Sequence, residues 1–323
     1  MSLVVDTITK RFGPVTALDR VSFTVEPGRI FGLLGANGAG KTTSMRIVLD
    51  ILRADSGSVT WQGQPNDRLP RRTWGYLPEE RGLYLRMKVV DVLSFFAALY
   101  GVPPARALEE VEDWLERFRI PEYRDRKVEE LSKGNQQKIQ FIAAILHDPD
   151  VLIMDEPFSA LDPVNVQLLK EAFLAMRDRG KTLIFSTHQM EQVEELCESI
   201  TIIDAGRVVE AGHVRDVRRR MGRRVVRLSV EGTDGVGTDG SAWVEQIPGV
   251  RITRRGEDYL EMHVADGTDP EVILQAAIGR GDRVTRFEIA DPSLEEIFIE
   301  RVGHRATEEE HLGESRRAPD AAA

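Results

Sequence analysis

The run Gly35-Ala36-Asn37-Gly38-Ala39-Gly40-Lys41-Thr42-Thr43 follows the apolar stretch 29–34 and opens a helical pattern. Glycines at this spacing let successive backbone N–H groups converge on phosphate oxygens. The helix N-terminus adds partial positive charge, Lys41 reaches β- and γ-phosphates, and Thr42 suits Mg²⁺. Gly35, Asn37, Gly38, Ala39, Gly40, Lys41, Thr42 and Thr43 are therefore the candidate nucleotide-binding residues. A chance glycine turn is the competing reading, and the full G-x-x-x-x-G-K-T string between strand and helix argues against it. Residues 151–157, Val-Leu-Ile-Met-Asp-Glu-Pro, read as a buried parallel strand delivering two adjacent carboxylates to the end of an open α/β sheet. Asp155 suits a Mg²⁺ shell and Glu156 an attacking water. Helix capping alone does not account for two carboxylates in that position.

The elements that must position these groups are a strand over 29–34, a strand over 151–155 and a third over 182–185, each emptying into a polar loop. Between the first two lies Leu131-Ser132-Lys133-Gly134-Asn135-Gln136-Gln137-Lys138, opening a helical pattern over 139–146. Ser132 and Gly134 just before a helix offer a hydroxyl and N–H groups to an anion, although Ser-Lys-Gly-Asn alone is simply a good N-cap. This stretch resembles the signature sequence of ATP-binding-cassette (ABC) proteins. Ser159-Ala160-Leu161-Asp162 is similar to the family's D-loop, Ser186-Thr187-His188 to its switch histidine, and Phe12 occupies the place of its adenine-stacking aromatic. The resemblance covers residues 1–220.

It implies an α/β P-loop NTPase cassette, a mixed sheet core with a helical signature subdomain over about 85–145, followed by a small α+β C-terminal domain. It implies ATP hydrolysis, with ATP and Mg²⁺ as cofactors. Lys41, Glu156 and His188 are the implied catalytic residues, His188 as a γ-phosphate contact. Thr42, Asp155 and Glu79 are the implied metal residues. Phe12 serves the base, and Ser132, Gly134 and Asn135 complete the site of a second cassette, in a homo- or heterodimer. Three positions depart from the commonest pattern: Lys133 replaces glycine, Asn135 replaces glutamine, and Glu79 replaces the Q-loop glutamine. A carboxylate at 79 still suits Mg²⁺ or water, but repels a γ-phosphate without the metal. The Pro-Glu-Glu-Arg-Gly-Leu-Tyr form over 78–84 resembles a branch of bacterial exporter-type ATPases.

A formal net charge of −10 over 323 residues gives no broad positive field, so no nucleic acid is expected as partner. Cys197 is the only cysteine, which excludes an intrachain disulfide and suits a small buried hydrophobe. Residues 1–13 lack the features of a secretory signal, and no apolar run is long enough to span a bilayer. The expected place is the cytoplasm, peripheral on the inner membrane face through a multi-span permease on a separate chain. A helical stretch from 89 towards Phe118 is read as a packed subdomain bordering the permease groove, with Leu83 and Tyr84 as contacts. The runner-up is a soluble non-transport ABC ATPase with a regulatory or nucleic-acid/translation-linked role. A single phosphate loop, a single signature and a short gap between them disfavour it.

Organisation changes near 220. Residues 215–224 form a basic run, read as a solvated helix end and domain junction. Strands over 225–230, 259–264 and 284–289, a helix over 270–277, and a glycine turn at 232–235 predict the accessory domain over 221–302. Its close, with a Ser293-x-x-Glu296 capping box, resembles the end of the C-terminal domain of sodium-efflux and drug-export ATP-binding proteins. Residues 303–323, with an acidic triplet and a terminal alanine run, are expected to be disordered.

Overall fold

In the computed structural model, which describes residues 2–80, 82–231, 242–256 and 258–302, the chain forms two compact units, 1–214 and 215–323. The expected turn at 232–235 and the tail 303–323 lie outside the described residues. The basic run 215–224 falls in the second unit.

The first unit is built on two sheets. Strands β1 (Leu3–Phe12), β2 (Val15–Val25), β4 (Ser56–Trp61) and β5 (Gln64–Pro65) form an antiparallel sheet in the order β2-β1-β4-β5. The other sheet contains β3 (Ile30–Leu34), β6 (Trp74–Leu77), β7 (Val151–Asp155), β8 (Thr182–Thr187), β9 (Ser199–Asp204) and β10 (Arg207–His213), ordered β10-β9-β3-β8-β7-β6. Its pairings are parallel except for the β9–β10 hairpin. β3, β7 and β8 are buried along their whole lengths, as continuous apolar runs in a covered parallel sheet must be. Helix α1 (Lys41–Val48) packs Met45, Ile47 and Val48 into a core shared by both sheets, against Val5, Phe23, Phe31 and Ile153. At Gly32 in β3, an added Cβ would meet the Cys197, Val193 and Ile200 side chains at 3.1–3.2 Å, so a larger residue there requires these neighbours to give way. Cys197 is buried, and burial pushes its thiol well above its ordinary pKa.

The helical stretch expected from 89 towards 118 is two helices, α2 (Val89–Leu99) and α3 (Pro104–Arg117). Gly101, at φ +75°, and Pro103 separate them, because neither continues a helix without strain. Helix α4 (Lys133–Ile145) is buried from Gln137 onward. Lys138 donates to the Phe118 carbonyl at 3.0 Å, satisfying an orphan group at the end of α3, and burial lowers its pKa. Phe118, Phe141, Phe173 and Phe185 continue this packing through ring contacts into α5 (Pro163–Asp178) and β8. Helix α6 (Met190–Leu196) follows β8.

The second unit is a four-stranded antiparallel sheet, β12-β13-β11-β14, with β11 spanning Arg223–Glu231, β12 Val250–Arg255, β13 Leu260–Ala265 and β14 Arg283–Ala290. One face packs Val226, Leu228, Met262 and Val264 on Ile273 and Ala277 of α8 (Glu271–Gly279), α7 (Val214–Arg219) being the short helix at its start. Alternation sends His263 to the opposite face, where its Nε2 lies 3.2 Å from Glu296 on α9, residues 294–302. The capping box forms as expected: the Ser293 N–H donates to Glu296 Oε2 at 2.8 Å, and the Glu296 N–H donates to Ser293 Oγ at 3.2 Å.

Candidate functional site

Parallel register brings the ends of three strands to one edge: Leu34 pairs with Thr187, and Asp155 with Ser186. The loop after β3 therefore meets the carboxylates after β7 and the histidine after β8. A cavity of about 350 Å³ at this edge is lined by Ala36, Asn37, Gly38, Gly40, Lys41, Thr42, Thr43, Glu79, Asp155 and Glu156.

Two of the glycines are required by geometry. A Cβ at Gly35 would sit 2.4 Å from the Ile203 carbonyl. Gly40, the N-cap of α1, lies at φ +112°, and a Cβ there would come within 2.6 Å of Leu18 and 2.9 Å of the Ala17 carbonyl. Ala39 is buried behind the loop, so it and Gly35 shape the cradle without lining the cavity.

Lys41 is nearly buried, with Nζ donating to the carbonyls of Gly35 at 2.8 Å and Ala36 at 3.2 Å and lying 3.8 Å from Glu156 Oε1. Thr42 donates to Asp155 Oδ2 at 2.6 Å, while Ser186 donates to the other oxygen of Asp155. The Glu156 N–H donates to Ser186 Oγ at 3.1 Å and to its carbonyl at 3.2 Å. His188 Nδ1 lies 3.0 Å from Glu156 Oε1. Glu156 itself takes φ +49°, a left-handed conformation that costs roughly 1–2 kcal/mol for a non-glycine residue. Burial pushes the Tyr76 phenol up; a hydrogen bond with Arg46 opposes this, and the charges of Asp155 and Glu79 add to the rise.

Three carboxylates and one ammonium therefore face the same cavity, an arrangement that repels a triphosphate unless a cation accompanies it. The donor set fits Mg²⁺: hard oxygens from Thr42 and Asp155 in mutual contact, with Glu79 across the cavity. Among the described residues no group of three or more His, Cys, Asp or Glu could hold a metal alone.

The remaining expected residues lie elsewhere. Phe12 ends β1 and is 50% exposed, with Lys10 Nζ 5.7 Å from its ring centroid, so it is not part of the core. Ser132 caps α4, accepting from the Asn135 N–H at 3.2 Å. Ser132 is exposed, and Ser132, Gly134 and Asn135 do not line the cavity of their own chain. Asp162 caps α5, and the Asn165 N–H foremost among its hydrogen bonds holds the carboxyl below its usual range. Leu83 is buried and Tyr84 is half exposed, so only the latter presents a contact surface.

Two kinds of residue escaped the sequence reading. Ser186 joins both carboxylates, signalled only by a hydroxyl ending an apolar strand. Gln137 and Gln140 reach the loops beyond β6 and β7, and their helical position gave no signal.

The comparisons agree with this geometry. Residues 18–159 match the family model "ABC transporter", and residues 212–302 match "ATP-binding protein DrrA1-3-like, C-terminal domain". The ABC transporter ATP-binding protein YhaQ of Bacillus subtilis is 44% identical over 93% of this chain and 98% of its own length. Nod factor export ATP-binding protein I of Cupriavidus metallidurans is 32% identical over 92% of this chain and 95% of its own. A solved ATP-binding subunit of an ABC transporter superposes with a TM-score of 0.64 at 30% identity, covering 69% of this chain and 94% of that one. No helix among the described residues is long and apolar enough to cross a membrane. With a phosphate loop, paired carboxylates and signature helix in these places, the chain belongs to the ATP-binding subunits of ABC transporters and is an ATPase.

Proposed function

We propose that this subunit powers export of a solute through a membrane permease on a separate chain, by pairing with a second cassette around ATP and Mg²⁺ and separating after hydrolysis. The observation that carries the reading is the split between the cavity and the signature. One chain brings Lys41, Thr42, Asp155 and Glu156 together, but Ser132, exposed at the N-cap of α4, and the half-buried Gly134 beside it do not line that cavity. The exposed Ser132 hydroxyl at this helix N-terminus suits the γ-phosphate held by another copy.

Within the pair, the loop N–H groups and Lys41 hold the β- and γ-phosphates, and Phe12 offers its half-exposed ring to the base. Mg²⁺, when bound, would supply neutralisation of the phosphate charge. Thr42, Asp155 and Glu79 are the residues that would hold it. Glu156 orients water and takes its proton, and His188, in hydrogen-bond reach of the same carboxylate, fixes that orientation before contacting the γ-phosphate. ADP and phosphate leave no group bridging the two copies, so the pair opens.

Export as the direction is supported by the name of the Nod factor export relative and by that relative's coverage of both units. A permease surface is supported by Tyr84, Leu85, Phe95 and Leu99, which are exposed, with the Tyr84 and Phe95 rings edge-to-face at 5.5 Å. The test is Glu156→Gln with Mg²⁺ and ATP, in the presence of the permease: hydrolysis is expected to fall about 10²- to 10⁴-fold while nucleotide stays bound and the cassettes remain paired. Parent-like turnover, or failure to pair, would remove the reading.

A further inference from the structure

The helix that begins with the signature, α4, is tied to both carboxylate loops by side chains that the reaction itself does not use. Gln137 and Gln140 lie three residues apart on α4 and are 2% and 5% exposed. Gln140 Nε2 donates to the Pro78 carbonyl at 2.9 Å and to the Glu80 carbonyl at 3.3 Å, so a single amide brackets Glu79 from both sides. Gln137 Nε2 donates to the Pro157 carbonyl at 3.1 Å, one residue beyond Glu156. β6 and β7 are adjacent parallel strands in which Leu77 pairs with Met154, so the two amides meet carbonyls just past neighbouring strand ends. Gln140 keeps this position although its Oε1 is buried without a hydrogen-bond partner. An apolar side chain of the same length would fill the space without that penalty, so the retained amide points to its donors.

We propose that Gln140 is a positioning residue for the cation side of the nucleotide site. By pinning the carbonyls on either side of Glu79, it fixes that carboxylate against Thr42 and Asp155 and ties its position to the helix that begins with the signature. Gln137 does the same for the turn that follows Glu156. Movement of α4 then shifts both acidic loops together. The proposal rests on Glu79 serving Mg²⁺.

The experiment measures binding of a fluorescent ATP analogue to the full chain with and without Mg²⁺, and the Mg²⁺ midpoint of ATP hydrolysis. Gln140→Met keeps length and volume but removes the donors. It is expected to leave Mg²⁺-free nucleotide affinity unchanged, to reduce the gain in affinity on adding Mg²⁺ by about 10-fold, and to raise the Mg²⁺ midpoint similarly. Glu79→Gln is expected to reproduce the loss, and the double variant to be no worse than either single one. If Gln140→Met responds to Mg²⁺ like the parent while Glu79→Gln does not, Gln140 is core filling and the proposal is overturned. If Glu79→Gln is parent-like, the reading of Glu79 itself falls. Should the methionine variant unfold, Gln140→Leu, which also lacks the amide donors and adds no charge, decides the question by the same readouts.

Discussion

Glu156 reaches the cavity only because its backbone turns left-handed immediately after a fully extended strand, and Ser186 holds that turn by accepting from its N–H. Ser186→Ala strips Asp155 of a donor and leaves the Glu156 N–H with only the carbonyl of residue 186. Stability should fall by about 1–3 kcal/mol in chemical denaturation, with a lower kcat and little change in nucleotide-free packing. Gly40→Ala should be more damaging than an exposed glycine substitution, because φ is +112° and both Leu18 and the Ala17 carbonyl stand under 3.0 Å from the new methyl. A cooperative melt of the variant at parent temperature would refute that expectation. The loop itself was legible because its chemistry is local: glycines, lysine and threonine act through spacing along one turn. Ser186 was not, since its role arises only when β8 lies beside β7.

Among elements, legibility followed burial. β3, β7 and β8 announce themselves as apolar runs, whereas β12 escaped the reading because Val250–Arg255 is an edge strand carrying three arginines, a composition that reads as solvated loop. The break between α2 and α3 was carried by Gly101 and Pro103, which the apolar periodicity outweighed. Ser132→Ala removes the α4 cap and should cost about 1 kcal/mol of stability. A fall in paired-cassette hydrolysis well beyond that loss, measured at a temperature where both proteins are fully folded, would separate a role across the interface from simple capping. In the second unit, burial raises the pKa of Glu296, but the Ser293 N–H and His263 outweigh it and leave the carboxyl below its ordinary value. A depressed folded pKa means the contribution is present above the unfolded value and lost as pH falls through the folded one. The difference in Tm between the parent and Glu296→Gln should therefore be steady near neutrality and shrink below about pH 4.3. A difference unchanged at acid pH would count against the ionised capping box.

At the scale of the molecule, the division at Val214 and Arg215 leaves each unit with its own hydrophobic core, one shared by two sheets and α1, the other between a four-stranded sheet and α8. A fragment ending at residue 214 is expected to melt cooperatively and bind nucleotide with parent affinity, by calorimetry and fluorescence. Loss of folding in that fragment would show that the first core is incomplete alone. The two-part organisation was visible in the sequence as a change from α/β alternation to meandering strands around a basic run. Of the two residues expected to contact a permease, Tyr84 is exposed and Leu83 is buried, because packing sends these neighbours of similar hydrophobicity to opposite environments.

The thiol of Cys197 is walled in beside Gly32, and burial disfavours its thiolate. A cysteine introduced at an exposed position such as Val164 would thus be the one site open to maleimide dyes or spin labels, without first deleting a native residue. The opening and closing proposed for paired copies could then be followed by interprobe distances.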